Sequence, residues 1–231
     1  MKYSLIILPI LICAKSFGQA EITAVTNVEK VSIAGNTHSR IRIYAGCIGL
    51  CDLAASNDSL HFRFWTDKQA VDIWTNDFIH YEGLLVNYTW SSDHSESESM
   101  CILHNFFYSS VKPIDPVKAK EVYQLFSDSL VFEIPEGNLT GTDGYGIRIE
   151  NSSPTNYSER SYFCPSYNKE IRDYRMIDYL DKKLDSMFNM EEDWKDFIEG
   201  LPDGCYHMEG LRYYCNMSIF KRTIMLLKSA F

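Results

Sequence analysis

Leu60-His61-Phe62-Arg63-Phe64-Trp65 decides how the first half of the chain is read. Its apolar residues at 60, 62 and 64 fall on one face of an extended strand, and His61 and Arg63 fall on the other. Residues 22–33, 41–48 and 84–90 share this alternation, or run apolar with β-branched and aromatic residues, and read as further strands. Polar breaks at Gly35-Asn36, at Ser56-Asn57-Asp58 and over 91–99 supply turns. Another strand is predicted over 101–111. The first half reads as antiparallel β.

Beyond residue 111 the period changes. Asp115-Pro116 has a capping oxygen followed by proline, the signature of a helix start, and Val122, Leu125, Phe126 and Leu130 recur at helical spacing. Residues 130–134 read as extended and stop at Pro135. Asp143-Gly144 is a turn signal before a strand over 145–150. From Asn168 to Phe188, Ile171, Tyr174, Ile177, Leu184 and Met187 mark a long amphipathic helix. Asn189 with Glu192 has the spacing of a capping box for a short helix carrying Trp194, Phe197 and Ile198. Met217, Phe220, Ile224 and Leu227 form a last helical stripe. The expected fold is α+β: an antiparallel N-terminal sheet with helices packed mainly on one face, stabilised by disulfides. With no internal repeat and no long linker, residues 21–231 read as a single globular domain, β-rich over 21–111 and mixed over 112–231.

Residues 1–20 carry the marks of a cleavable signal peptide: Lys2, an apolar run from Leu5 to Ile12, then Gly18 and Ala20 before a cut near Ala20. The run is too short to span a bilayer, which takes about 20 residues. Ile12 ahead of Cys13 is bulky for a lipid-modification site. The expected location is therefore secreted or periplasmic, with no transmembrane segment in the mature chain. The chain has 22 basic and 31 acidic residues; removal of Lys2 and Lys15 leaves 20 against 31, a net charge near −11. An acidic balance excludes the clustered cations that nucleic acid and anionic membranes require.

Loss of Cys13 leaves six of the seven cysteines, an even number that in an exported chain favours disulfides. Cys205 and Cys215 lie symmetrically about Gly210 in a stretch that reads as a hairpin, so two strands would bring them opposite one another. The pairing of Cys47, Cys51, Cys101 and Cys164 stays open.

Gly141-Thr-Asp143-Gly144, the strand to Glu150, Tyr162, Pro165, the long helix, and Trp194 to Phe197 running into Leu201-Pro-Asp-Gly-Cys205-Tyr206 resemble uncharacterised exported proteins of Bacteroidota. The resemblance covers about residues 115–215. It implies export and an α+β unit, and no activity. Gln19 beside the cut is similar to leaders of the same group.

The candidates for chemistry each have a plain structural reading beside them. Asp93, His94, Glu96 and Glu98 gather potential hard-cation ligands, but serines between acids make a solvated loop. The histidines at 38, 61, 80, 94, 104 and 207 are scattered, and no His-Glu-x-x-His or Gly-x-Ser-x-Gly occurs. His61 and His104 sit in predicted strands and could face a cleft. Asp67, Asp72, Asp77, Asp143 and Glu150 could supply a carboxylate pair for glycosidic hydrolysis. Aromatic residues crowd 64–108, either lining the core or marking a binding face. Six Asn-x-Ser/Thr sequons (Asn57, Asn87, Asn138, Asn151, Asn156, Asn216) exceed chance. They are acceptors in a eukaryotic secretory pathway and polar turns in a bacterium, where Asn87 is expected to face solvent.

No cofactor or metal is expected. The favoured function is a non-enzymatic exported protein of inhibitor or immunity type that binds another protein or a polysaccharide. The alternative is a small extracytoplasmic hydrolase using carboxylate or histidine chemistry. A cleft holding His61 or His104 beside two acids would favour the enzyme, and an exposed aromatic patch the binder.

Overall fold

A computed structural model describes residues 22–25, 45–93, 104–141, 144–207 and 213–216. The leader over 1–20, the expected strand stretches at 26–33 and 41–44, residues 94–99 of the expected 91–99 loop, Cys101, Asp143, Gly210 and the stripe from Met217 lie outside the described residues; residues 91–93 of that loop are strand instead.

Six strands pair antiparallel in one sheet: β2 (Leu60–Trp65), β3 (Gln69–Thr75), β4 (Glu82–Asp93), β5 (His104–Pro113), β6 (Gly146–Ser153) and β7 (Asn156–Phe163). β1 (Ile22–Val25) joins the edge at β5, giving the order β1-β5-β4-β3-β2-β6-β7. A separate hairpin pairs β8 (Gly204–His207) with β9 (Tyr213–Asn216). Among the described residues, the longer helices α1 (Pro116–Asp128), α2 (Arg172–Phe188) and α3 (Met190–Glu199) complete an α+β fold. None of the described helices is long and apolar enough to cross a membrane.

The alternation of β2 sets the layers. Phe62 and Phe64, with Val71, Ile73, Ile147 and Ile149, pack in one core with Ala119, Val122 and Phe126 of α1 and Tyr174, Ile177, Leu180 and Leu184 of α2. Phe62 stacks on Phe126 with ring centroids 4.7 Å apart. The opposite parity, Trp65, Ala70, Val86, Tyr88 and Phe107, packs against Ala45, Cys47, Ile48 and Leu50. Because both faces are covered, β3 is buried at nearly every position and shows no clean alternation.

α1 starts as its sequence directs, with Asp115 Oδ1 accepting from the Val117 amide at 2.9 Å and Pro116 in the first turn. Three expectations are corrected. Residues 45–47 are helical rather than extended, and the Leu50 amide bonds back to the Ala45 carbonyl at 2.8 Å. Gly49, at φ +79°, permits that reversal, which folds Ile48 and Leu50 back onto the core. Residues 131–133 form a 3-10 turn rather than a strand. Leu130 leaves α1 in the left-handed region at φ 50°, and the turn returns Val131 to the core. The capping box at 189 does not form. Asn189, also left-handed at φ 53°, terminates α2 through its amide, and Asp185 Oδ1 accepts from the Glu191 amide at 3.0 Å.

Cys205 faces Cys215 across β8–β9 with Cα atoms 4.0 Å apart, and the two are bridged. Tyr206 beneath them packs with Trp194, Phe197, Ile198 and Leu201. His207 stacks on Trp90 at 3.9 Å, and Thr89 Oγ1 donates to the His207 carbonyl at 2.6 Å.

Candidate functional site

The polar residues of β2 do not meet water. His61 and Arg63 are 3 % and 0 % exposed, and they share a buried cluster with Asp72 of β3 and Glu150 of β6. The register explains the meeting, since Arg63 is paired with Asp72 on one side and Glu150 on the other. Arg63 Nε donates to Asp72 Oδ1 at 3.0 Å and Nη2 to Oδ2 at 3.0 Å, a bidentate clasp. Nη2 also reaches the Cys51 carbonyl at 3.2 Å, and Nη1 stands 3.5 Å from Glu150 Oε2. Glu150 accepts from Trp65 Nε1 at 2.5 Å and from the Tyr157 hydroxyl at 2.9 Å.

Among the described residues this cluster is the nearest approach to an active site, and its geometry argues against one. His61 Nε2 lies 2.9 Å from Asp72 Oδ1, and Nδ1 lies 2.9 Å from Asp58 Oδ2. Both ring nitrogens are held by carboxylates, so neither is available to take a proton from a substrate. Burial alone would raise the Asp72 carboxyl, but the Arg63 guanidinium and then His61 outweigh it and hold it below the usual carboxylate range. Asp72 and Glu150 are neighbours bound to one arginine, with no opening between them for a sugar ring. The rival's two acids beside His61 are therefore present without its cleft.

Two shallow depressions, of about 180 and 160 Å³, lie elsewhere. One is lined by Trp74, Asn76, Asp77, His80 and Glu82, and the other by Pro135, Glu136, Asn138, Tyr162, Ile171 and Asp173.

The cysteines divide. Cys205 and Cys215 are bridged; Cys47 and Cys164 are buried thiols, and Cys51 is an exposed one. Although the Cys51 residue is exposed, its Sγ turns toward buried Arg63, with Nη2 3.7 Å away, and partial desolvation pushes the thiol up with Arg63 opposing; burial likewise raises Cys47. Thiols held protonated are poor nucleophiles. Asp67 Oδ1 accepts from the Gly146 amide at 3.3 Å, a turn role. His104 lies on β5, and His38, His94, Glu96 and Glu98 fall outside the described residues, among which no group of three His, Cys, Asp or Glu could hold a metal ion. Asn87, expected at the surface, is fully buried; it donates to Asp193 at 2.7 Å and accepts from Gln69 at 2.8 Å.

The aromatic crowd also divides. Phe64, Trp65, Tyr81, Tyr88 and Phe107 are core, whereas Phe78 is 51 % exposed and Ile79 68 %. These two form the tip of the β3–β4 hairpin, and the tip is built from its own polar groups. Asp77 Oδ1 accepts from the amides of Ile79 (2.9 Å) and His80 (2.8 Å), and Oδ2 meets His80 Nδ1 at 2.6 Å. Thr75 Oγ1 accepts from the Phe78 amide at 3.0 Å and donates to the His80 carbonyl at 2.7 Å. The Tyr81 hydroxyl donates to the Phe78 carbonyl, and its ring packs on Tyr123 of α1. His80 and these amides hold the Asp77 carboxyl well below the usual carboxylate range. Within this frame Phe78 adopts φ +57°, a left-handed conformation uncommon for an aromatic residue. An Asx-type signal, Asp77 three residues before His80, was visible in the sequence, but not the exposure of the two apolar residues it carries. No family model matches the chain, and no curated protein matches it.

Proposed function

We propose that this is an exported, non-enzymatic protein that binds another protein, in the manner of an inhibitor, with the Asp77–His80 tip as its docking prong. The observation that supports this is the pairing of two exposed apolar side chains with a strained backbone fixed by side-chain hydrogen bonds. Ordering costs for such a tip are met on folding, before any partner arrives, and backbone strain of this kind concentrates at binding sites. In this reading the helices cover mainly the Phe62–Phe64 face of the sheet, and at the hairpin end Tyr81 packs on Tyr123 of α1 while Phe78 and Ile79 stay exposed.

The partner's chemistry follows from the tip's surroundings. Asp77 and Glu82 flank the depression beside Phe78, on a chain of net charge −9. The complement is an apolar slot with a cationic rim, which an acidic chain would approach with electrostatic steering. The hydrolase reading is the weaker, because its histidine and acids are buried and already paired.

The test compares wild type with Phe78→Ala/Ile79→Ser as bait in fluid surrounding the source cells, with captured proteins identified after photo-crosslinking from the tip. A partner crosslinked to the tip and lost with the double variant supports the reading. Equal capture by both baits overturns it.

A further inference from the structure

Six of the twelve asparagines have Ser or Thr two residues on, although Ser and Thr make up only about one residue in seven. The fold sorts these sequons. Asn57, in the turn before β2, Asn138, in the segment after the 131–133 turn, and Asn156, at the start of β7, are exposed. Asn87 is fully buried, with both atoms of its amide bonded inside the protein, and Thr89 of its sequon is bonded to the β8–β9 hairpin. Asn151 is half-buried, and its Oδ1 is sealed from water. An oligosaccharide is bulky and hydrated, so only an asparagine at the surface can carry one in this fold.

From this we infer that the chain is N-glycosylated at Asn57, Asn138 and Asn156, with Asn87 and Asn151 left bare. The donor is a lipid-pyrophosphate-linked oligosaccharide. Nδ2 attacks the anomeric carbon, the bond from that carbon to the pyrophosphate oxygen breaks, the N-glycosidic bond forms, and the amide proton leaves with the lipid pyrophosphate. This rests on the export reading and directs it to a eukaryotic secretory pathway rather than a periplasm. Asn138 and Asn156 lie away in sequence from the Asp77–His80 tip, whereas Ser59 of the Asn57 sequon donates to the Asn76 carbonyl at 2.6 Å, so a glycan on Asn57 would stand beside the prong.

The full chain is expressed in an insect-cell host, once with its own residues 1–20 and once behind an established leader. Protein from the medium is treated with peptide N-glycosidase in ¹⁸O water, which turns each glycosylated asparagine into an ¹⁸O-labelled aspartate, and the labelled positions are mapped by mass spectrometry. Label at 57, 138 and 156 but not at 87 or 151 is expected, with each of Asn57→Gln, Asn138→Gln and Asn156→Gln removing one step of gel mobility. Medium protein lacking glycan at all three, or carrying it at Asn87, overturns the inference. Failure of its own leader alone to deliver the protein overturns the export reading and the inference's physiological claim, while the second leader still reads out the site pattern.

Discussion

Asp72 Oδ1 lies 2.9 Å from His61 Nε2 and accepts from Arg63 Nε at 3.0 Å, so one buried carboxylate joins both polar side chains of β2. Removing one partner from a buried pair leaves an uncompensated charge, which costs far more than the pair contributes net. Asp72→Asn is expected to lower stability by about 3 kcal/mol in urea unfolding, and Arg63→Met with Asp72→Leu and Glu150→Gln, which removes every charge of the cluster's two ion pairs, by distinctly less. A single substitution within about 0.5 kcal/mol of wild type, the range of an ordinary surface change, would show that the cluster is not closed as described.

The same carboxylate sets a pH dependence. Its folded pKa lies below the unfolded value, so its stabilising effect is fully present above the ordinary carboxylate range and is lost as pH falls through the depressed value. The gap in urea midpoint between wild type and Asp72→Asn should hold steady from about pH 7 to 5 and narrow only below about pH 4. A gap that already narrows between pH 7 and 5 would contradict the depressed pKa.

How far these features could be read in advance depends on what each residue reveals by itself. The β2 alternation and the Cys205–Cys215 symmetry needed only local pattern, and the first led to the right strand and the second to the right pairing. β3 was missed because burial on both faces erases the period-two signal, and Asp72 and Gln69 look like turn residues until their partners are known. The buried face of His61 and Arg63 was illegible for the same reason: Glu150 lies 87 residues from Arg63 in the chain and becomes its neighbour only through the β2–β6 register. At the tip, Asp77 signals a turn, yet the exposure of Phe78 and Ile79 depends on which distant neighbours the fold brings to the hairpin end.

Thiol reactivity should separate the cysteines in the native state. Cys51 is exposed, whereas Cys47 and Cys164 are buried. Brief treatment with a maleimide and peptide mapping should find label on Cys51 well ahead of Cys47 and Cys164, which react only on unfolding. Because burial raises the Cys51 thiol, its labelling should also be slow near neutral pH and quicken as pH rises toward 9. Fast labelling of Cys164 would contradict its place beneath Gly144, where a Cβ would meet Cys164 Sγ at 2.2 Å.

The bridge fixes the hairpin on which Tyr206 and His207 depend. Cys205→Ser with Cys215→Ser reopens a short loop in the unfolded chain, and a loss of roughly 2–3 kcal/mol is expected. His207 stacks on Trp90, so the loss should also change tryptophan emission as Trp90 meets water. Unchanged emission together with unchanged stability would place the hairpin's anchorage elsewhere.

Phe78 separates stability from binding. At φ +57° an aromatic side chain is strained by about 1 kcal/mol or more, and glycine relieves that strain at the cost of a looser unfolded chain. Its ring is half exposed, so little buried area is lost on truncation. Phe78→Gly should therefore leave the urea midpoint unchanged or slightly raised, whereas Phe126→Ala, from the closed core, should cost about 3–5 kcal/mol. If the ring serves the fold, the glycine variant will be destabilised. If it serves a partner, the variant will fold as well as wild type and lose the tip's crosslink, because the strain was retained for contact with another surface.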